Sequence, residues 1–346
     1  MRSKLSPKIN QEEMSEKKYD VYGLGNALVD IVTEVTDDFI NDHEVEKGLM
    51  TLVEEDRQRT LVAAMNIKEE HMQCGGSAAN TVIATSQFGG KGYYSCKVAN
   101  DFEGKFYLKD LKANGIDTYL TPETAPQGVT GKCLVMTTPD AERTMNTYLG
   151  ITSDLSASEI QEGALKDSKY LYLEGYLVPS PSGVDAMKKA KAMAEANGVK
   201  VAMTFSDPSM VKYFKDQMKE VVGASVDLLF CNEEEAMLFT ETENIKDARE
   251  ALKGVAKKFV ITQGKNGATI FDGDTFIDIE PYDVKAIDSN GAGDMFAGAF
   301  LYGITNGHSY AEAGKLASLA SSVVVTKFGP RLSLSEAKDI LRKLHD

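Results

Sequence analysis

Segment 288–300 reads DSNGAGDMFAGAF: two glycines flank an alanine, an aspartate follows at once, and apolar residues with helical spacing run on from there. Gly291 and Gly293 free the backbone to approach a ligand closely. The first amides of a helix have no internal partners, and with the helix dipole they make an anion site. Asp294 falls in that first turn, where the dipole favours the ionised form and should lower the pKa. A weak base suffices for phosphoryl transfer, whose loose transition state depends on positioning and charge stabilisation. The carboxylate of Asp294 aimed at a substrate hydroxyl, beside the bare amides of Gly291, Ala292 and Gly293 aimed at a migrating phosphoryl group, would be a complete constellation for that reaction. The competing reading is a glycine-rich helix start in which Asp294 is only a favourable charge.

Three further stretches have residue types that suit the same chemistry. CGGSAANT at 74–81 puts Gly75 and Gly76 before a helix, with Ser77 expected as its N-cap and Asn80 one turn in, where its amide could face a cleft. NEEE at 232–235 follows a strand, at the end of the strand where open α/β sheets place ligand contacts. Asn232 could cap the following helix or touch a ligand, and Glu235 could serve Mg²⁺ through water. TQGKNGAT at 262–269, with Thr262 and Gly264, reads either as a ligand loop or as a hairpin turn. No GxxxxGK[ST] loop and no protein-kinase glycine loop occurs. GLGNAL begins like a dinucleotide fingerprint, but Leu28 stands where the third glycine belongs.

The rest of the chain must position these groups. Its 346 residues are 42% hydrophobic and 26% charged, the balance of a folded globular protein. A net charge of −14 with no basic stripe argues against nucleic acid as a partner. No apolar run approaches a membrane span, and four widely spaced cysteines with four scattered histidines suit a reducing cytoplasm better than disulfides or a transition-metal site. Residues 1–18 read as a disordered polar tail. From Lys169 onward, short β-rich runs (KYLYLEGY, KVAMTF, VDLLFCN, KKFVITQG) alternate with helical stretches. That order implies parallel βαβ units and a sheet covered by helices on both faces. Earlier, LVDIVTEV, GLMTLV, GKCLVMTT and RTMNTYL alternate with period two and without helices between them. They predict a small antiparallel sheet, formed from about residues 27–53 and 117–150, standing off the α/β body as a lid.

Together these motifs resemble the ribokinase-like carbohydrate and nucleoside kinases, the phosphofructokinase B family, over residues 19 to 332. DSNGAGDMFAGAF is similar to that family's C-terminal signature and GGSAANT to its glycine doublet. KVANDFEGKFYLKDLKANGID resembles its strand–helix block, NEEE its Asn-x-x-Glu motif and TQG its Thr-x-Gly loop. The resemblance implies an α/β ribokinase-like fold with a β lid, and ATP and Mg²⁺ as cosubstrate and metal. It implies Asp294 as catalytic base, the backbone of Gly291, Ala292 and Gly293 as anion hole, and Arg143 as a lid arginine meeting the transferred phosphoryl. Asn26, Asp30, Gly75, Gly76 and Asn80 would hold the acceptor's hydroxyls, and Tyr176 would lie against its base. Asn232, Thr262, Gly264 and Asn290 would line the nucleotide site, with Glu235 in the Mg²⁺ network. The backbone around Asp288 and Asn290, with segment 325–329, would be the place for K⁺. Within the family the likeness is greatest to its adenosine-phosphorylating branch. Thr204 departs from the asparagine usual in the animal form, and fructose or ribose remain alternative acceptors. The expected partner is a small nucleoside or sugar, and the expected assembly a monomer or homodimer.

Overall fold

Alternating β-rich and helical runs bury both faces of a sheet only if the crossovers return every strand in one direction. The structure, a computed structural model, describes residues 17–48, 50–65, 67, 71–140 and 142–345, without the side chains of Arg143 and His345. The expected tail lies outside these residues apart from Lys17 and Lys18. The strands are β1 (Tyr19–Leu24), β2 (Leu28–Glu34), β3 (Met50–Leu52), β4 (Met72–Gly75), β5 (Gly92–Ser95), β6 (Ile116–Asp117) and β7 (Thr130–Thr137). They continue with β8 (Arg143–Gly150), β9 (Ser168–Glu174), β10 (Lys200–Thr204), β11 (Leu228–Asn232), β12 (Phe259–Thr262), β13 (Ala268–Phe271) and β14 (Phe276–Ile279). The helices are α1 (Asp37–Asp42), α2 (Glu55–Ala64), α3 (Ser77–Gln87), α4 (Phe102–Ala113), α5 (Glu162–Lys166) and α6 (Pro181–Ala196). They end with α7 (Pro208–Val222), α8 (Glu233–Thr240), α9 (Ile245–Leu252), α10 (Ala292–Thr305), α11 (Tyr310–Val324) and α12 (Leu334–His345).

Nine strands form one sheet in the order β14-β13-β12-β11-β10-β9-β1-β5-β6. It is parallel from β12 to β6, and β13 and β14 extend it antiparallel. The period of two divides its core. Tyr170 and Tyr172 of β9 pack with α3, α10 and α11 on one face, while Leu171 and Leu173 pack with α6 and α7 on the other. Among the described residues no helix is long and apolar enough to cross a membrane, and the four cysteines are buried and free.

All four alternating pieces enter a second, five-stranded sheet, ordered β3-β8-β7-β2-β4. The antiparallel expectation is corrected: β7–β8 and β2–β4 are antiparallel, but β2–β7 and β3–β8 are parallel. The two strands of each parallel pair are joined by long connections that contain helices, so no hairpin dictates their direction. β4, which sequence periodicity missed, occupies one edge and ends at Gly75. The run YDVYGLGNALVDIVTEV divides between the two sheets around Gly25. A Cβ there would lie 2.6 Å from the carboxylate of Glu174, so the chain turns over that group and leaves the large sheet.

Candidate active site

Strands of a parallel sheet end at one edge, and a helix that begins over that edge brings its free amides to it. α10 does so. Gly291, its N-cap, has φ +72°, and a Cβ there would meet Pro330 Cβ at 2.2 Å, so a side chain is excluded on two grounds. Gly293 faces open space, with nothing within 4 Å of its Cβ position. The amides of Gly293 and Asp294 have no acceptor among the described residues, whereas Ala292 N donates to Ser289 O at 3.3 Å. Of the three amides expected to be bare, that of Ala292 therefore belongs to the turn itself.

The Asp294 carboxylate is fixed from α3: Ser77 Oγ donates to Oδ1 at 2.6 Å and Asn80 Nδ2 to Oδ2 at 3.2 Å. Two expectations fail here. Ser77 is not the N-cap of α3; Gly76 is, and the freed hydroxyl crosses to Asp294. The pKa of Asp294 is not lowered by the helix dipole. Burial pushes it up to about 6, against the opposing pull of Ser77, Asn80 and Arg331. Desolvation outweighs the dipole because the carboxylate lies between two helices rather than in solvent.

The glycine doublet faces β2 and the β1–β2 turn. A Cβ on Gly75 would lie 2.4 Å from Asp30 Oδ1, and one on Gly76 would lie 2.3 Å from Asn26 O. The doublet is thus the space in which Asp30 and Asn26 sit. Asn26 is held on every side: its N–H donates to Glu174 Oε1 (2.6 Å), its Nδ2 to Tyr176 O (3.2 Å), and its Oδ1 and O accept from Thr152 Oγ1 and Tyr94 Oη. Tyr176 is 37% exposed. Its phenol is pushed up by burial first and then by the negative charges of Asp207, Asp294, Glu174 and Glu235.

Asn232 and Thr262 are register partners at the ends of β11 and β12. Asn232 caps α8, as one of its two readings held: Oδ1 accepts from Glu235 N at 2.8 Å, and Glu235 Oε2 accepts from Asn232 N at 2.9 Å. Glu235 is 4% exposed, and burial pushes it up to about 7. Gly264, with φ +54° and open space around it, opens a hairpin between β12 and β13, so the loop is a hairpin, and it starts beside Asn232 at the end of β11. Asp288 is buried and accepts from Asn290 N (2.8 Å) and Gly329 N (3.1 Å), while Asn290 is exposed. Arg143 begins β8 opposite Thr137, and its side chain lies outside the described residues.

Residues 48–337 match the pfkB family of carbohydrate kinases. The chain belongs to this family. It is 27% identical to adenosine kinase 2 of Arabidopsis thaliana over 91% of this chain and 96% of that protein. Among solved structures, the adenosine kinase of Sinorhizobium meliloti is 34% identical, with a TM-score of 0.83 over 93% of this chain and 99% of that one. A probable sugar kinase from Rhizobium etli is 32% identical, with a TM-score of 0.84 over 95% and 99%. The fold is therefore ribokinase-like and the protein a kinase.

Within this pfkB kinase, Asp294, Asn80, Gly75, Gly76, Asn26 and Asp30 converge from four elements, and Asn232, Glu235, Thr262 and Gly264 form a second group along the same sheet edge. Three residues escaped the sequence. Ser77 was assigned to the cap. Glu174, fully buried and accepting from Asn26 N and from Ala78 N (2.7 Å), ends an apolar strand in YLEGY; a carboxylate in such a place was the available signal. Arg331 lies in a loop with no local signal. Among the described residues no cluster of three or more acidic, histidine or cysteine side chains could hold a metal alone. A Mg²⁺ that keeps its waters and binds chiefly through phosphates needs only one or two carboxylates; after burial, Asp207 adds to the upward push on Glu235, so two carboxylates interact here.

Proposed function

We propose that this kinase moves the γ-phosphoryl group of ATP onto the primary hydroxyl of a ribose-bearing nucleoside, adenosine first. The observation behind this is the convergence of the fixed Asp294 carboxylate with unengaged amides of Gly293 and Asp294 at one helix start. The acceptor oxygen attacks the γ-phosphorus, the bond to the bridging β–γ oxygen breaks, and the hydroxyl proton passes to Asp294. The free amides, with Arg143 from the second sheet, neutralise charge on the transferred group. Asn26, Asp30 and Asn80 hold acceptor hydroxyls, and Asp30 suits a vicinal diol. Tyr176 gives an aromatic face for a base. Asn232, Thr262, Gly264 and Asn290 line the nucleotide side. Mg²⁺, reached from Glu235 through water, would offset charge on the phosphates. Asp288, Asn290 and the backbone of 325–329 are the place for a monovalent cation. We place the kinase in the cytoplasm, where buried free thiols stay reduced.

The likeness to adenosine kinases favours a nucleoside, and the equal likeness to a probable sugar kinase favours a free sugar as second reading. A panel of adenosine, other nucleosides, ribose and fructose, with coupled ADP detection in Mg²⁺ and with or without K⁺, decides between them. Adenosine should give the highest kcat/KM; a free hexose ahead of it would overturn the substrate assignment, and no ADP release from any acceptor would overturn the kinase reading of this site.

Gly75→Ala tests the acceptor side alone. Its methyl would collide with Asp30, so the acceptor KM should rise about tenfold while that of ATP changes by less than about twofold. Equal losses for both substrates would show that the doublet does not border the acceptor.

A further inference from the structure

The groups that hold Asp294 are themselves held by Arg331. Its guanidinium donates along three directions: Nε to Asn80 Oδ1 (3.1 Å), Nη1 to Asp110 Oδ2 (2.5 Å) and Nη2 to Cys74 O (2.6 Å). A planar fork so engaged has one orientation. It also settles the Asn80 amide. Oδ1 faces the cation, so Nδ2 must face Asp294. Turning the amide over would set its NH₂ against the guanidinium N–H and its oxygen against a carboxylate. The same segment meets the start of α10 at two more points. Gly329 N donates to Asp288, and Pro330 fills the space that a side chain at Gly291 would need.

We propose that Arg331 is a positioning residue for phosphoryl transfer, acting through Asn80 to keep Asp294 ionised and aimed at the acceptor. This rests on the reading of Asp294 as the base. The groups that face Asp294 are Ser77 and Asn80 from α3, Tyr172 and Glu174 from β9, Tyr176 beyond it, and Arg331. Burial opposes its ionisation; the hydrogen bonds from Ser77 and Asn80 support it, and so does Arg331, the cation that faces it. Asp110 partners Arg331 on the far side, pinning the guanidinium from α4.

In Arg331→Gln, kcat should fall by about ten- to a hundredfold with the KM for ATP within about twofold. The acid limb of the kcat–pH profile should move up by on the order of half a pH unit or more. Arg331→Lys keeps the charge but cannot make all three bonds. It should hold the limb near the wild-type position while recovering only part of kcat. Asp110→Asn breaks the ion pair and leaves the bond to Asn80; its limb should stay in place. A second readout does not need turnover. The ¹³C carboxyl resonance of Asp294, assigned by its loss in Asp294→Asn, should titrate at higher pH in Arg331→Gln. An unmoved limb and an unmoved resonance in Arg331→Gln would overturn the proposal, as would a limb in Arg331→Lys displaced as far as in the glutamine variant. A wild-type protein that transfers no phosphoryl group overturns the reading of the base instead, and the NMR midpoint still decides whether Arg331 supports the ionised carboxylate.

Discussion

Asp294→Asn should lower kcat by about a thousandfold or more while the protein folds and melts close to the wild type. The substitution keeps shape and volume but removes the proton acceptor. It also creates a local conflict. Asparagine can still accept from Ser77 through Oδ1, but its NH₂ then faces Asn80 Nδ2, 3.2 Å away from the present oxygen. Asn80 cannot turn to relieve this, because Arg331 holds its oxygen. The stability cost of that conflict is countered by removal of a poorly solvated charge, which is why melting should change little. In the wild type, the same carboxyl pushed up to about 6 sets the lower limit of activity. Below that pH Asp294 is protonated and cannot accept the acceptor's proton, so kcat/KM should fall as pH drops through 6 and stay flat above it. Coupled ADP release across pH 5 to 9 checks both statements. Turnover within about tenfold of wild type in Asp294→Asn would remove Asp294 from the mechanism.

How far this site was readable from residues alone divides along one physical line. Contacts governed by backbone conformation were legible. Gly291 and Gly293 advertised a helix start, and Gly75 and Gly76 advertised close approach; Gly75, Gly76 and Gly291 lie where a side chain has no room, and Gly293 faces open space. The βα alternation from Lys169 onward gave the parallel sheet, because burial on both faces leaves the middle of each strand apolar. Contacts governed by tertiary partners were not legible. Ser77 has the residue type of an N-cap, yet its hydroxyl prefers a carboxylate 217 residues away. The protonation of Asp294 was misjudged because the helix dipole is local and visible, whereas desolvation depends on which helix packs opposite. Four of the second sheet's five strands were read, but the parallel pairing of β2 with β7 and of β3 with β8 was not, since period two fixes which face is buried and says nothing of direction. Arg331 spans three elements from a loop, and no spacing rule reaches it.

Glu174 carries the other large effect, through stability and acceptor binding together. Each of its oxygens accepts one backbone amide, from Asn26 at 2.6 Å and from Ala78 at 2.7 Å, so a single carboxylate ties the β1–β2 turn to the start of α3. Those are the two segments proposed to hold the acceptor. Burial pushes its carboxyl up to about 7, against the lowering effect of these two amides and with a further push from Asp294. Its pKa is thus higher folded than unfolded, so the folded state binds the extra proton between roughly pH 4.5 and 7. The stabilisation is full below the unfolded value and disappears as pH rises through 7, a change of about 3 kcal/mol at most. Glu235 acts in the same sense and window. The apoprotein should therefore be more stable at pH 5.5 than at pH 8. Glu174→Gln should flatten that slope, leaving the shares of Glu235 and Asp294. Glutamine has one oxygen for two amides, so one N–H is left facing an NH₂ at a cost of about 1–3 kcal/mol, which removal of the buried charge offsets at pH 8. The tie between the two segments is nevertheless broken, so kcat/KM for the acceptor should fall about tenfold or more at pH 8 with the KM for ATP almost unchanged. Urea denaturation at the two pH values and acceptor kinetics on the same preparation read both effects. A pH slope identical to wild type, together with an unaltered acceptor KM, would mean that the carboxylate is neither the stability switch nor the clamp described.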